Sequence, residues 1–375
     1  MTSKATRGIV FVLASWQMNA PAGIERATAA LAAGLAASGH HAVIATALAT
    51  DSEPVLPGVT VEHLDLPVDF PCADQLLRKA LLRRTDAIQA RLWEIIARHQ
   101  ADTVVFTDAL WGLGRLAADL PDGVRRVLAA HVLPNREDAP AALTRADRVI
   151  IPSEIVRAEA EEAGWPAKSW RVVPNALLHP PAIPDPVHID EGRSGPVRVL
   201  ARLGHEKGIV PLLNAAADWD RPLEVTVAHA GFEAASGSQT KLLEECRALT
   251  GTADHITLHE RPLAWRDVPG WLAGACVVIV PSLRETFGLV ALEAMSSATP
   301  VVGYRVGNLP TLLERADTGV QLLADPGLGP NTLLGLADAL LQDPVAYGRT
   351  AKAMYHLAQD YRPDRIAQLF LKAVS

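Results

Sequence analysis

Short runs of β-branched residues alternate with longer helical stretches through almost all of this 375-residue chain. Residues 8–14, 41–46, 103–106, 126–130 and 148–151 read as strands in the first half, and 197–201, 224–228, 255–258, 277–280 and 301–304 in the second. The stretches between them carry apolar residues three and four apart, as do Leu77, Leu81, Ile88, Leu92 and Ile95 within 73–99, read as one helix. This alternation predicts an α/β chain with parallel sheets covered on both faces. Ligands in such sheets bind outside the carboxyl ends of the strands.

The alternation breaks once. Pro174, Pro180, Pro181, Pro184, Pro186 and Pro196 fall close together, and proline blocks both helix and ladder hydrogen bonds. The break predicts a first domain over 1–176, a linker over 177–196 and a second domain over 197–360. Residues 361–375 read as a terminal helix, expected to cross back to the first domain. The length suits two domains, and 49% hydrophobic residues suffice for a core in each.

A net charge of −7 gives no support for a nucleic-acid partner. Cys72, Cys246 and Cys276 are far apart and show no zinc spacing, which suits a reducing, cytoplasmic setting. The basic start and apolar run before Trp16 resemble a signal peptide, yet the same run suits a buried parallel strand. The apolar run 271–281 is too short to span a bilayer.

Two segments carry the chemistry. The first runs from Pro281 to Met295 and includes Glu285, Thr286, Phe287, Gly288, Leu289 and Glu293. A strand ends at Pro281 and a helix is expected to begin near Thr286. Its free N–H groups and positive dipole end suit a phosphate. Eight residues span just over two turns, so Glu285 and Glu293 would face one side and accept hydrogen bonds from ribose or sugar hydroxyls. A helix with an acidic first turn and one interior glutamate explains the pattern equally well. The second segment is Arg202 to Gly208, where Arg202 and Lys207 flank Gly204 between a strand and a helix. A guanidinium fork and a point charge suit a diphosphate, though taken alone the segment reads better as a solvated loop, since short Gly/Lys loops are common. Asp218 and Asp220 form an Asp-x-Asp pair read as a turn before Arg221 and Pro222, so no metal site is expected.

Together these segments resemble the retaining glycosyltransferases of family 4. The Glu-x-Phe-Gly-x-x-x-x-Glu-Ala-Met pattern spans Glu285 to Met295, and Arg-Leu-x-x-x-Lys-Gly spans Arg202 to Gly208. Weaker matches occur in order at Gly23 to Arg26, Ser38 to His40, Ala146 to Glu154, and Arg171 to Asn175. The resemblance implies a GT-B architecture, two Rossmann-like domains with parallel sheets facing across a cleft. It implies transfer from a nucleotide-sugar donor, a UDP-sugar before a GDP-sugar, to a small-molecule acceptor, with retention and no metal. Arg202 and Lys207 would hold the donor diphosphate, Glu293 the ribose and Glu285 the transferred sugar. Amides around Phe287, Gly288 and Leu289 would complete the phosphate site. His131 resembles a family histidine near the donor sugar, and Gly23 would admit a phosphate or the acceptor.

The sequence also departs from the family. His229 stands at a glycine position, and Glu260 opens the base-binding loop that includes Arg261 and Leu263. Ala176, Ala298 and Thr311 replace a glycine, a glycine and a glutamate. These departures leave the donor's base and sugar open and would suit a secondary-metabolite, antibiotic-type acceptor. Arg78, Lys79, Arg83, Arg84 and Arg91 line the 73–99 helix. Some family members touch anionic membranes through such a helix, but a core-packed helix with a solvated basic face is favoured. Acceptor loops are expected around 16–24, 66–72, 109–114 and 133–138, where Trp16, Phe70 and Trp111 would stack on a ring or fill the core. The alternatives are a sugar-nucleotide epimerase of the same fold and a nucleotide-sugar-binding protein without turnover. A nicotinamide enzyme lacks its Gly-x-Gly-x-x-Gly after the first strand.

Overall fold

A computed structural model describes residues 6–17, 23–48, 55–107, 112–133, 138–179, 193–229 and 237–375. The chain forms two compact units, one reaching to Leu178 and joined by Pro363–Ser375, the other running from His179 to Arg362. Most of the proline-rich stretch lies outside the described residues.

The first unit holds seven strands, β1 (Gly8–Ser15), β2 (His41–Leu48), β3 (Val59–His63), β4 (Thr103–Phe106), β5 (Arg125–Ala129), β6 (Arg148–Ile151) and β7 (Arg171–Val172). Their order is β3-β2-β1-β4-β5-β6-β7, and every neighbouring pair is parallel. All eight residues of β1 are buried, which is why its sequence shows a continuous apolar run and no alternation. The helix Gly23–Ala37 covers this sheet with alanines. A Cβ at Gly34 would lie 2.3 Å from the Pro363 carbonyl oxygen, so glycine lets the terminal helix Pro363–Val374 approach. Phe370 of that helix is fully buried, with its ring 6.1 Å from that of Phe11 in β1.

The second unit holds β8 (Val197–Arg202), β9 (Leu223–Ala228), β10 (Ile256–His259), β11 (Val277–Val280), β12 (Val301–Tyr304) and β13 (Leu323–Ala324). Their order is β10-β9-β8-β11-β12-β13, again parallel throughout. Both sheets follow the doubly wound order, so each reverses its winding beside its first strand.

Three differences from the sequence reading have local causes. Three strands lie beyond the ten expected: β3, at the sheet's edge with no fully buried residue, has no continuous apolar run, and β7 and β13 are two residues each, too short to show a period. The 73–99 stretch is two helices, Asp74–Arg83 and Thr85–Arg98, broken at Arg84, where φ is −121° and ψ 17°. The Thr85 hydroxyl donates to the Leu81 carbonyl at 3.1 Å, taking the acceptor that a continuing helix would use. Its basic face is also divided. Arg78 donates to Asp138 at 3.0 Å and Arg91 to Glu62 and Glu94, while Lys79, Arg83 and Arg84 are exposed. Trp16 is fully buried, Phe70 packs against the core, and Trp111 lies outside the described residues.

Candidate active site

In the second sheet the winding reverses between β8 and β11, which opens a crevice beyond their carboxyl ends. Arg202 is the last residue of β8, and the turn His205–Lys207 follows it. The loop 281–288 leaves β11 beside it. The two backbones touch at Gly208, where φ is +66° and a Cβ would lie 2.1 Å from the Pro281 carbonyl oxygen. The Leu283 amide donates to the Glu206 carbonyl at 2.8 Å. Lys207 Nζ reaches Glu285 Oε2 at 2.8 Å, with the two side chains only 17% and 16% exposed. This pair joins the two sequence segments into one site.

A third loop, after β12, fixes Glu285 from the other side. The Asn308 amide donates to the Glu285 carbonyl at 3.1 Å, and Asn308 Nδ2 donates to the Phe287 carbonyl at 2.9 Å. At Gly307 φ is +52° and a Cβ would lie 1.7 Å from the Glu285 carbonyl oxygen. Gly307→Ala is therefore expected to displace Glu285 and cost about 1–3 kcal/mol through overpacking. Thermal unfolding and turnover should both fall. Gly237→Ala, at φ +80° and ψ 0° with open space around it, is the control that carries left-handed backbone strain without the clash.

The helix after this loop is Leu289–Ser296 and begins at Leu289, not near Thr286. Gly288 has φ +92°, outside the helical region, and a Cβ there would lie 2.9 Å from a Leu309 methyl and 3.1 Å from a Leu312 methyl, so glycine suits the position on both counts. Glu285, Thr286 and Phe287 therefore belong to the loop. The two glutamates do not share a helix face, since only Glu293 is helical, and it is buried there. The free first-turn amides start at Gly288 and Leu289.

Beyond β9, His229 is exposed. Beyond β10, Glu260 is held in a fork by Arg247, at 2.7 Å to Oε1 and 2.6 Å to Oε2. Arg247 holds the Glu260 carboxyl below its usual range, and the His229 charge acts in the same direction. Arg261 is exposed and Leu263 half-buried in the loop that follows. Arg202, Lys207, His229, Glu260 to Leu263, Glu285 and the start of the Leu289–Ser296 helix thus stand at the carboxyl edge of one sheet.

His131 and Gly23 belong to the first unit. His131 follows β5 and lines a small cavity of ≈ 20 Å³, room for about one water, with Thr28, Thr107 and Asn175 among apolar neighbours. Burial pushes its pKa down to about 4, so the ring is neutral at ordinary pH. Gly23 opens the Gly23–Ala37 helix.

Two acids were not singled out by the sequence. Glu25 is 5% exposed and accepts a hydrogen bond from the Ser15 hydroxyl at 2.5 Å. Burial pushes its pKa up to about 8. Glu206 pairs with Arg202 four residues away. Neither has a sequence signal of its own. An acid in a first helical turn reads as a dipole partner, and one in a charged loop reads as solvated. Asp218 and Asp220 lie at the turn before β9, where Trp219 and Arg221 both bond to Asp338. Among the described residues no three His, Cys, Asp or Glu side chains gather as metal ligands.

Comparison with known proteins gives matches along most of the chain. A family profile described as Glycosyltransferase Family 4 matches residues 21–177, and one described as Glycosyl transferases group 1 matches residues 197–343. A D-inositol 3-phosphate glycosyltransferase from Streptomyces scabiei is 30% identical over 348 residues, covering 82% of this chain and 77% of that protein. One from Arthrobacter sp. is 34% identical over 177 residues, covering 46% of this chain and 40% of that protein. Among solved structures, sucrose-phosphate synthase from Thermosynechococcus elongatus superposes with a TM-score of 0.77 at 19% identity, covering 98% of each chain. HepE from Anabaena, solved with UDP-glucose, gives 0.72 at 18% identity, covering 98% of this chain and 99% of that one.

Proposed function

This chain belongs to glycosyltransferase family 4 and has the GT-B fold; from that premise we propose that it transfers a sugar, with retention and without a metal, from a nucleoside-diphosphate sugar to a small hydroxyl-bearing acceptor. The observation that carries this reading is the Lys207–Glu285 pair, which ties a cation for the diphosphate to a carboxylate for the sugar. It stands beside Arg202 at the switch point of the second sheet.

Arg202 and Lys207 bind the diphosphate and stabilise charge on the departing phosphate oxygen, as preorganised donors do. They do the work a divalent ion would otherwise do. The amides at Gly288 and Leu289 add donors from a positive helix end. Glu285 accepts from hydroxyls of the transferred sugar and Glu293 from the ribose. His131, neutral at ordinary pH, offers one donor and one acceptor to hydroxyls. The C1–oxygen bond to the diphosphate breaks as the acceptor oxygen bonds to C1 from the same face. The leaving phosphate takes the acceptor's proton, so no protein nucleophile is needed.

The donor is a UDP-sugar before a GDP-sugar, in line with the UDP-glucose bound to HepE. The inositol phosphate acceptor of the Streptomyces relative supports a small polyol. His229, Glu260 and the other departures support a specialised acceptor of secondary-metabolite type. A thermal-shift screen of UDP, GDP, ADP and dTDP in EDTA tests the donor site. One nucleotide should stabilise the protein clearly, and the product formed from its sugar should keep the donor's anomeric configuration by NMR. No shift with any nucleotide, or an inverted product, would overturn the reading.

A further inference from the structure

Both cations assigned to the diphosphate hold a carboxylate of the protein itself. Lys207 holds Glu285, the residue assigned to the sugar. Arg202 Nη2 holds Oε1 of Glu206, which has no role in the transfer described above.

Glu206 is set in place by its surroundings. It stands in the turn His205–Lys207, and its carbonyl accepts the Leu283 amide, which fixes it to the loop carrying Glu285. Its carboxylate fills the space beside Gly204, where a Cβ would lie 2.6 Å from Oε2 and 2.7 Å from Oε1. The backbone at Gly204 is extended, with φ −178°, so any residue could adopt it. A Cβ at 204 would thus press only on the movable end of the Glu206 side chain and push it aside, with no conformational demand on the backbone. A carboxylate and a phosphate present oxygens to a guanidinium in the same way. The Arg202 and Glu206 side chains are 41% and 36% exposed, so the pair is weakly held and open to exchange.

We propose that Glu206 is a stand-in for the donor diphosphate. It keeps the Arg202 fork oriented in the empty site, yields it when the diphosphate arrives, and takes it back as the nucleoside diphosphate leaves. Glu206 is a positioning residue that acts through Arg202. The inference rests on the diphosphate role of Arg202 proposed above.

The test is calorimetric titration of the full-length protein in EDTA with UDP, with GDP, and with inorganic pyrophosphate as a probe lacking a base. Glu206→Gln should bind the nucleoside diphosphate and pyrophosphate roughly two- to fivefold more tightly, the size of an exposed ion pair. Its turnover should become more sensitive to inhibition by the nucleoside diphosphate product. Gly204→Ala separates exchange from plain repulsion, because it crowds the carboxylate off Arg202 while keeping its charge. Exchange predicts tighter binding in Gly204→Ala as well; repulsion predicts no change there, and that result would overturn the proposal. So would unchanged or weaker binding in Glu206→Gln when the wild type binds, which leaves the donor reading intact. A wild type that binds none of the three probes overturns the donor reading and this inference with it.

Discussion

Lys207→Ala is expected to lower kcat by about 10²–10³-fold, ~3–4 kcal/mol of lost transition-state stabilisation, by analogy with a single oxyanion donor. Two effects add. The substitution removes a cation from the departing phosphate, and it strips Glu285 of its partner at 2.8 Å. Glu285 is only 16% exposed, so water screens the bared carboxylate poorly and it repels the incoming diphosphate. Glu285→Gln removes that repulsion. The double variant should therefore lose less than the sum of the two single losses, as residues in contact do. Lys207→Arg should rescue little, because a planar fork does not replace a point charge held in this space. Single-turnover rates on the nucleotide-sugar that the binding screen selects are the measurement, with thermal unfolding to confirm folding. A Lys207→Ala rate within tenfold of wild type would remove Lys207 from the chemistry, and strictly additive losses would show that Lys207 and Glu285 act independently.

How far the sequence led depends on whether a feature is set locally or by distant neighbours. β11 (Val277–Val280) is four β-branched residues in a row, and its burial on both faces leaves no other reading. The order of strands and helices, and with it the carboxyl edge bearing Arg202 and Glu285, follows from such runs. The start of the Leu289–Ser296 helix does not. The helix is expected near Thr286, but Gly288 takes a left-handed conformation, with Leu309 and Leu312 side chains where a Cβ would stand, and the helix begins only at Leu289. That contact joins residues some twenty positions apart, and no local pattern announces it. The same holds for Gly208 against Pro281 and for Gly307 against Glu285. Each glycine was visible, but the backbone it admits was not. Glu206 stands at i+4 from Arg202, a spacing that suggests a helical pair, yet Arg202 ends a strand and Glu206 sits in a turn. Neither the pairing nor its setting was legible from that spacing.

Glu25→Gln is expected to raise the melting temperature at pH 8, with the gain shrinking steadily toward pH 5. Glu25 is 5% exposed in the first turn of the Gly23–Ala37 helix, beside the carboxyl end of β1. Its pKa rises from 4.5 to about 8, because burial penalises the carboxylate more than the Ser15 hydroxyl stabilises it. Between those values the folded chain keeps a proton that the unfolded chain releases. Stability is then fully present below 4.5 and falls as pH rises toward 8, by about 1.4 kcal/mol for each pH unit crossed, several kcal/mol in all. Glutamine cannot ionise, and its carbonyl oxygen still accepts from Ser15, so the variant sheds the penalty while keeping the hydrogen bond. Melting curves from pH 5 to 9 for both proteins provide the check. Parallel curves would mean that Glu25 is ionised in the folded state. An acid held neutral at such a cost stands where the first sheet reverses its winding, between β1 and β4. Perturbed groups cluster at functional positions, so the variant's turnover decides whether that burial serves the acceptor or only the packing. Higher stability with lower turnover is the expected pair of results, and unchanged turnover would assign Glu25 to packing alone.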